Sequence, residues 1–326
     1  MKDKRVLRGI LGLVVVFGLG SCGEKESGAS GEEGGGDPAP GYVLARPNAL
    51  PPVGSKVAVS GLLEFNDAPM VLKRGDESVM GTSSTTTQKM MRYEVVSPTK
   101  VKILVERDVD TQKIIVGGSP RTEPPKVSPI QGKALTFELR DGSWVASLDS
   151  GDELTEEQKE KTESIARLLS SAETLEIYGS GPRKVGEKWD ADPNNIPGLG
   201  EDSNFTGTFK MFFDRVEEFE GHQCAVLVGT MKVVGTPENA EGLELKMTAS
   251  VTTYRALEYL EDLKMTIEGE MIISGSPNEE VTMTIRGPFT MKQSLMLLLP
   301  CGLGWVSGRG TPRFSPVAGV FAANEP

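Results

Sequence analysis

The feature that most constrains the fold is a period-two alternation of apolar and polar residues in the second half of the chain. In LELKMTASV (243–251) every odd position is apolar and the even positions are mainly polar. The pattern recurs, less strictly, in 205–213, 263–273 and 281–285. Because successive side chains of a strand point to opposite faces, this alternation is typical of antiparallel strands with one wetted face. Closely spaced turn residues between the runs predict a meander.

The first half also contains β-rich runs, although their alternation is less regular. They are broken by Gly, Pro, Asp and Asn and read KVAVSGLLEF, KMMRYEVV, VKILVER, QKIIVGG and ALTFELRDGSWVASL. The segment GGSPRTEPPKVSP (117–129) predicts a long proline-rich loop, because proline cannot donate to a sheet ladder.

One helix is predicted at about 154–172. Thr155 and Gln158 have the spacing of a capping box, and acidic residues follow in the first turn. Ile165, Leu168 and Leu169 share one face together with Ala172, which predicts packing on the sheet. The fold class is therefore mostly β, a β-rich α+β protein with a curved antiparallel sheet or meander and one main helix.

The N-terminus has the features of an export signal. Residues 1–8 are basic, and Gly9 to Gly20 form an apolar run of 12 residues, shorter than the roughly 20 that a spanning helix needs. The run ends in Leu19-Gly20-Ser21-Cys22, which resembles the lipobox of bacterial lipoproteins. This resemblance implies cleavage before Cys22, a diacylglycerol on its sulfur and a further acyl chain, such as palmitate, on the new amine.

The lipoprotein resemblance also implies a location in the cell. Two or three acyl chains contribute about 0.8 kcal/mol per buried methylene, which anchors a protein stably to a membrane. Gly23 rather than Asp after Cys22 implies the outer membrane, so the protein is expected lipid-anchored at the periplasmic face of the bacterial cell envelope. The Gly, Ser, Glu and Pro of 23–41 predict a flexible tether.

Composition shifts divide the chain into five parts. These are a signal peptide (1–21), a tether (22–54), an N-terminal β-rich half with the helix (55–180), a C-terminal antiparallel half (181–295) and an atypical tail (296–326). The tail is rich in Gly, Pro and Arg. It predicts either a final buried strand at 295–299 with a disordered end, or a poorly defined C-terminus.

A second resemblance covers about 128–286. Gly142-x-Trp144 and Val185-Gly186-x-x-Trp189 are similar to sequences of uncharacterised β-rich envelope lipoproteins, which have no known chemistry. At the level of fold, a curved sheet with a helix on its concave side also resembles the half-barrel lipoproteins that carry lipids.

No catalytic residue or cofactor is predicted. The chain has one histidine, His222, which excludes multi-histidine metal centres, and it contains no GxSxG motif. His222 is expected in a surface turn, and Trp144 and Trp189 in core or edge packing. The net charge of -11 without a basic cluster argues against nucleic acid and against electrostatic docking on anionic lipid.

Two weaker site predictions remain. Cys224 and Cys301 either form a disulfide, which an oxidising envelope would permit, or stay as two buried thiols. Asp190, Asp192, Asn194 and Glu201 occupy four ligand positions of an EF-hand calcium loop, but Asn195 replaces the glycine of that loop. An ordinary polar turn has the same residues.

The sequence therefore predicts a lipid-anchored envelope protein that binds an unknown partner or serves as a structural component. One alternative is a half-barrel carrier of a hydrophobic molecule such as lipid, which an apolar cavity in the concave face would favour. A carboxylate-based hydrolase is a second hypothesis, which requires two close carboxyls with one raised pKa. A calcium-stabilised adhesion module is a third, which requires the four oxygen ligands to converge on one point.

Overall fold

The protein is described by a computed structural model over residues 41–195, 204–236, 242–278 and 280–298. Within these ranges most residues lie in antiparallel strands, and the predicted mostly-β class is confirmed. The signal peptide, Cys22 and residues 23–40 lie outside the described residues, as does the tail after Leu298. No helix in the described part of the chain is both long enough and apolar enough to cross a membrane.

The elements follow one another as a run of long strands interrupted once by helices. The helices are α1 (Glu156–Ser170) and α2 (Ala172–Tyr178), with a 3-10 turn at Pro193–Asn195. The strands are β1 (Tyr42–Val43), β2 (Lys56–Arg74), β3 (Glu77–Ser97), β4 (Lys100–Val116), β5 (Ser119–Thr122), β6 (Lys126–Val127), β7 (Ala134–Arg140), β8 (Ser143–Leu148), β9 (Pro182–Arg183), β10 (Lys188–Ala191), β11 (Asn204–Phe219), β12 (His222–Thr236), β13 (Leu243–Ala256), β14 (Glu261–Asn278) and β15 (Val281–Leu298).

One large sheet contains almost all of these strands. Its order is β10-β11-β12-β13-β14-β15-β2-β3-β4-β7-β8, with β5 and β6 both paired to β4. Strand β15 pairs antiparallel with β2, so the two β-rich halves of the chain form a single sheet. A separate two-stranded sheet joins β1 to β9.

The predicted loop at 117–129 was wrong in part, because β5 and β6 lie within it. Gly117 and Gly118 both have positive φ, which permits a tight hairpin turn back along β4. Pro120 sits opposite Ile115 in the short strand β5. Proline is compatible with such an edge position because its missing N–H costs no ladder hydrogen bond there.

The predicted end of the last strand also needs correction. Leu295 is buried, but Met296 is 62% and Leu298 58% exposed, so this segment is not a strand buried on both faces. It continues the alternation of β15 beyond Ser294, because pairing with β2 extends to the Leu298–Lys56 position.

Helix α1 begins as predicted. The Thr155 hydroxyl accepts a hydrogen bond from the Gln158 amide at 3.2 Å, and the Gln158 side chain accepts from the Thr155 amide at 3.0 Å. Ser171 adopts a left-handed conformation (φ 58°) that separates α1 from α2. The helix is held at both ends, since Gln158 donates to the Pro129 carbonyl and the Ser171 hydroxyl accepts from the Ala49 amide.

Two groups of buried apolar residues fill the interior. The packed core contains Leu63, Phe65 and the inner-face residues of β11–β15, including methionines such as Met231 and Met271. The helix-side core contains Ile165 and Leu169 of α1 with inner-face residues of β3, β4, β7 and β8. The candidate functional site lies in the helix-side core.

Candidate functional site: an apolar cavity under helix α1

The floor of the site is built from rows of residues that cross β15, β2, β3 and β4. Strand register aligns four residues as the first row, here called the lysine row: Gln293, Gly61, Lys89 and Asp108. All four line the same cavity, so the row carries polar groups on the face that is otherwise apolar.

The next row is apolar throughout and is called the middle row. It aligns Leu295, Val59, Met91 and Val105 in the same strand order. These residues lie two positions along each of β15, β2 and β3 from the lysine row, which is the spacing of successive side chains on one face.

A bulge decides which residues of β4 face the cavity. Met90 pairs with Arg107 whereas Met91 pairs with Val105, so β4 carries one extra residue at this point. Before the bulge an odd-numbered residue of β4, Val105, faces the cavity, and after it an even-numbered residue, Asp108, does so. Such bulges redirect side chains, and here the bulge brings Asp108 beside Lys89.

Helix α1 forms the roof. Its residues Lys161, Ile165 and Leu168 line the cavity together with Ser164 and Leu169. The space below the helix is about 170 Å³. A dry engineered cavity of roughly 150 Å³ binds benzene, whereas drug-sized ligands occupy about 300–1,000 Å³. The site can therefore hold a small apolar molecule or a single short alkyl chain.

The far end of the cavity carries a tyrosine and a carboxyl group. Tyr93 lies four residues beyond Lys89 on β3, about 13 Å along the strand. Its hydroxyl donates a hydrogen bond to Glu261 Oε1 at 3.1 Å. Burial raises the pKa of Glu261 to about 7, and the neighbouring Asp262 adds to the effect. This end is therefore only partly charged at neutral pH.

Glu261 is followed in sequence by Asp262, which forms a buried ion pair with Arg255; both side chains already have hydrogen-bond partners. Arg255 is 1% exposed, and its Nη1 donates to Asp262 Oδ1 at 2.7 Å while its Nε donates to the Leu44 carbonyl. Its guanidinium stacks 4.6 Å from the Tyr178 ring centroid, and the Tyr178 hydroxyl donates to Asp262 Oδ2 at 3.1 Å. Both oxygens of Asp262 are thus engaged, so this carboxylate serves the fold.

The lysine end has a different electrostatic character. Burial lowers the pKa of the Lys89 ammonium, while Asp108 and Asp110 raise it and Lys161 lowers it further. Asp110 accepts a hydrogen bond from the Thr87 hydroxyl at 2.7 Å, and burial raises the pKa of this carboxyl. Lys89 of the sheet and Lys161 of the helix both line one end of the cavity, here called the cavity mouth, where Asp108 and Asp110 partly compensate the charge of Lys89.

Of the residues predicted for the disulfide, only Cys224 is described. It is a buried thiol of the helix-side core, free among the described residues, and burial raises its pKa to about 11. Cys301 lies outside the described residues, so their pairing stays a prediction.

The predicted calcium ligands are described except for Glu201. Asp192 Oδ1 accepts from the Asn194 amide and from Asn194 Nδ2, both at 2.9 Å. Asn194 Oδ1 accepts from the Phe205 amide at 2.8 Å, and Asp190 is exposed on β10. Among the described residues no group of three or more acidic, histidine or cysteine side chains could hold a metal ion. Calcium binding with Glu201, which lies outside those residues, stays a prediction.

The remaining singled-out residues lie in packing positions. Trp144 is 6% exposed and donates to Asn48 Oδ1 at 3.2 Å. Trp189 donates to the Ile177 carbonyl at 2.7 Å and lies under the Arg183 guanidinium. His222 is the first residue of β12, half-buried beside Tyr259.

The residues that line the cavity were not predicted from the sequence, but a signal for them exists. In KMMRYEVV the buried positions of β3 are odd-numbered, and Lys89 occupies that phase. Gln293 interrupts the apolar phase of β15 in the same way. At both positions the polar residue in the apolar phase of the strand lines the cavity.

Comparisons with known proteins identify no family. No family model matches the chain, and no curated protein matches it. Among solved structures, lipovitellin (a structure of lipid–protein interactions) is similar over 78% of this chain and 26% of its own, at 9% identity and a TM-score of 0.35. The chain thus spans about a quarter of lipovitellin.

Two further solved structures are of bacterial proteins. The outer membrane protein OprG of Pseudomonas aeruginosa matches 78% of this chain and 97% of its own, at 8% identity and a TM-score of 0.19. A β-barrel-like protein of a domain of unknown function from Brucella abortus matches 75% and 97%, at 12% identity and a TM-score of 0.12. TM-scores this low carry no argument about function.

Proposed function

We propose that this protein is a lipid-anchored component of the bacterial cell envelope that binds a small hydrophobic ligand in the cavity under α1. The observation that carries the proposal is the cavity itself. Its apolar middle row is roofed by Ile165, Leu168 and Leu169, and polar groups border its two ends.

The size and the lining of the cavity support a ligand. About 170 Å³ of space is bordered by apolar side chains of α1 and of the middle row, and a bound apolar molecule would remove this surface from water. Elsewhere on the same sheet, a cavity beside Leu63 and Phe65 measures only about 30 Å³.

The proposal is for binding without catalysis. A hydrolytic carboxyl pair lies about 5–9.5 Å apart. The two carboxyls that line the cavity, Asp108 and Glu261, belong to its opposite ends. Asp110 lies near Asp108 and burial raises its pKa, but its carboxylate accepts a hydrogen bond from Thr87 and does not line the cavity. Asp262, which neighbours Glu261 in sequence, is engaged by Arg255 and Tyr178.

The ligand is tested by native mass spectrometry of the mature chain carrying Cys22→Ala, exported without an acyl anchor. We expect an extra mass that organic extraction removes. The variant Gly61→Leu should lose it, because a Cβ at Gly61 meets only Lys89 Cβ at 3.8 Å and the larger side chain fills the cavity. Gly181→Leu, placed where a Cβ meets nothing within 4 Å, is the matched control. A bare polypeptide mass before extraction would contradict the proposal.

The anchor is tested separately by palmitate labelling. The wild-type chain should take up labelled palmitate and sediment with membranes, whereas Cys22→Ala should do neither. Equal membrane recovery of both proteins would contradict lipid anchoring through Cys22.

A further inference from the structure

The charges that line the cavity are unequal in sign. Three cationic side chains, Lys89, Arg107 and Lys161, face two carboxyls, Asp108 and Glu261. Over the described residues, neither Arg107 nor Lys161 forms an ion pair. This cationic excess stands out in a protein whose net charge is -11.

The cationic groups are concentrated at one end. Lys89 and Asp108 belong to the lysine row, Arg107 is adjacent on β4, and Lys161 approaches from the roof. Asp110 interacts with Lys89 as Asp108 does, so two carboxyls compensate the charge of this lysine. The cations of the mouth that form no ion pair among the described residues are therefore Lys161 and Arg107, and both would attract an anion bound there.

The two walls of the cavity have similar lengths. From Lys161 to Ser171 the helix advances about 15 Å, and from Lys89 to Tyr93 the strand advances about 13 Å. Ile165 and Leu168 line the same cavity as the middle row. A linear molecule with its head at the mouth would place its chain along these apolar groups.

The far end is unsuited to a second anion. Glu261 there carries negative charge above neutral pH, and its Oε1 is already paired with Tyr93. Two acyl chains would also exceed 170 Å³. The cavity therefore fits a ligand with one anionic head group at the mouth and one alkyl chain.

We propose that the ligand is a single-chain anionic amphiphile whose head group binds at the cavity mouth beside Lys161 and Arg107 and whose alkyl chain lies along the middle row. This inference rests on the proposed function. Charge-assisted hydrogen bonds from the Lys161 ammonium and the Arg107 guanidinium would supply the head-group specificity.

The test is isothermal titration of the mature Cys22→Ala chain at pH 8 with three eight-carbon probes, octanoate, octanol and octylamine. We expect octanoate to bind about tenfold more tightly than octanol, and octylamine to bind most weakly. Lys161→Met should remove most of the difference between octanoate and octanol and leave octanol binding unchanged. Lys292→Met, an exposed lysine on the outer face of β15, is the matched control.

The outcomes separate this inference from the proposed function. Equal binding of octanoate and octanol would overturn the anionic head group and leave the cavity as a hydrophobic site. A preference for octylamine would likewise overturn it. Binding of none of the probes would count against both. Binding to vesicles of phosphatidylglycerol but not to octanoate would identify a membrane surface and overturn the single-chain ligand.

A second variant keeps the test decisive if Lys161→Met fails to fold. Arg107→Met changes an exposed side chain at the same mouth and leaves the inner face intact. We expect it to weaken octanoate binding two- to threefold, and an unchanged affinity in both Lys161→Met and Arg107→Met would overturn the inference.

Discussion

The packed core and the helix-side core belong to one sheet but differ in how completely side chains fill them. In the packed core, inner-face side chains of β11–β15 pack with Leu63 and Phe65 of β2, and a cavity beside these two residues measures about 30 Å³. In the helix-side core, α1 covers a cavity of about 170 Å³ that is also lined by residues of β2, β3, β4 and β15. The packed core, in which strands pack on strands, is therefore more completely filled. The helix-side core, in which a helix covers the lysine row, retains a larger cavity.

The inner-face residues explain the contrast. Phe213, Leu227 and Met231 are at most 2% exposed, and each lies in the apolar phase of its strand. The lysine row instead places Gly61 and Lys89 in that phase. A glycine leaves volume unfilled, and a lysine must keep its ammonium near solvent. The same sheet can therefore be a core in one region and a binding surface in another.

The largest effect is expected at Arg255, which joins the two regions. Its side chain connects Leu44 of the packed core to Asp262 beside the helix-side core. Arg255→Met should cost about 3–5 kcal/mol in the free energy of unfolding, because it leaves a buried carboxylate uncompensated. Urea denaturation measures this loss. Arg286→Met, which breaks the exposed Arg286–Glu270 pair, should cost less than about 1 kcal/mol. Similar losses in both variants would contradict a structural role for the buried pair.

A matched pair of leucines compares the two regions directly. Leu227→Ala in the packed core should cost about 2–5 kcal/mol, because it creates a new cavity at a fully buried position. Leu168→Ala should cost only about 1 kcal/mol in the ligand-free protein, because Leu168 already borders empty space. Chemical denaturation of both variants checks the comparison. Equal losses would show that the helix-side core is as tightly filled as the packed core.

The pH dependence of stability tests the far end of the cavity. Burial raises the pKa of Glu261 from 4.5 to about 7, so the folded protein binds more protons than the unfolded chain between these values. Stability should therefore fall as pH rises through this window, by about 1–3 kcal/mol from this group. Glu261→Gln should lose that part of the slope, whereas Glu268→Gln, exposed on β14, should keep it. A wild-type slope retained by Glu261→Gln would place the titration elsewhere.

The smallest effect concerns the start of the roof. Thr155→Ala should cost about 1 kcal/mol and speed hydrogen exchange in the first turn of α1, because the amide of Gln158 loses its acceptor. Thr155→Ser keeps the hydroxyl and should stay close to wild type. Exchange in β12 should be unchanged in both variants. An exchange rate in α1 unaffected by Thr155→Ala would show that packing alone holds this end of the roof.

Much of the fold follows from local patterns in the sequence. Alternation in 243–251 predicts a strand and its buried face, and the capping box at Thr155 places the start of α1. Strand ends are less predictable, since β2 extends to Arg74 although its regular pattern ends near Phe65. A bulge between Phe65 and Ala68 shifts the register there, and a period-two pattern contains no sign of it.

The candidate site depends on contacts that the sequence does not record. By itself the sequence determined the strands, their buried faces and the main helix, because side-chain period and capping are properties of neighbouring residues. The lipid anchor at Cys22 stays a prediction. Only the tertiary structure decided that β15 pairs with β2, that the bulge in β4 turns Asp108 inward and that Lys161 and Lys89 line the same cavity. These arrangements join residues up to more than 200 positions apart, where backbone pairing rather than local pattern determines which side chains meet.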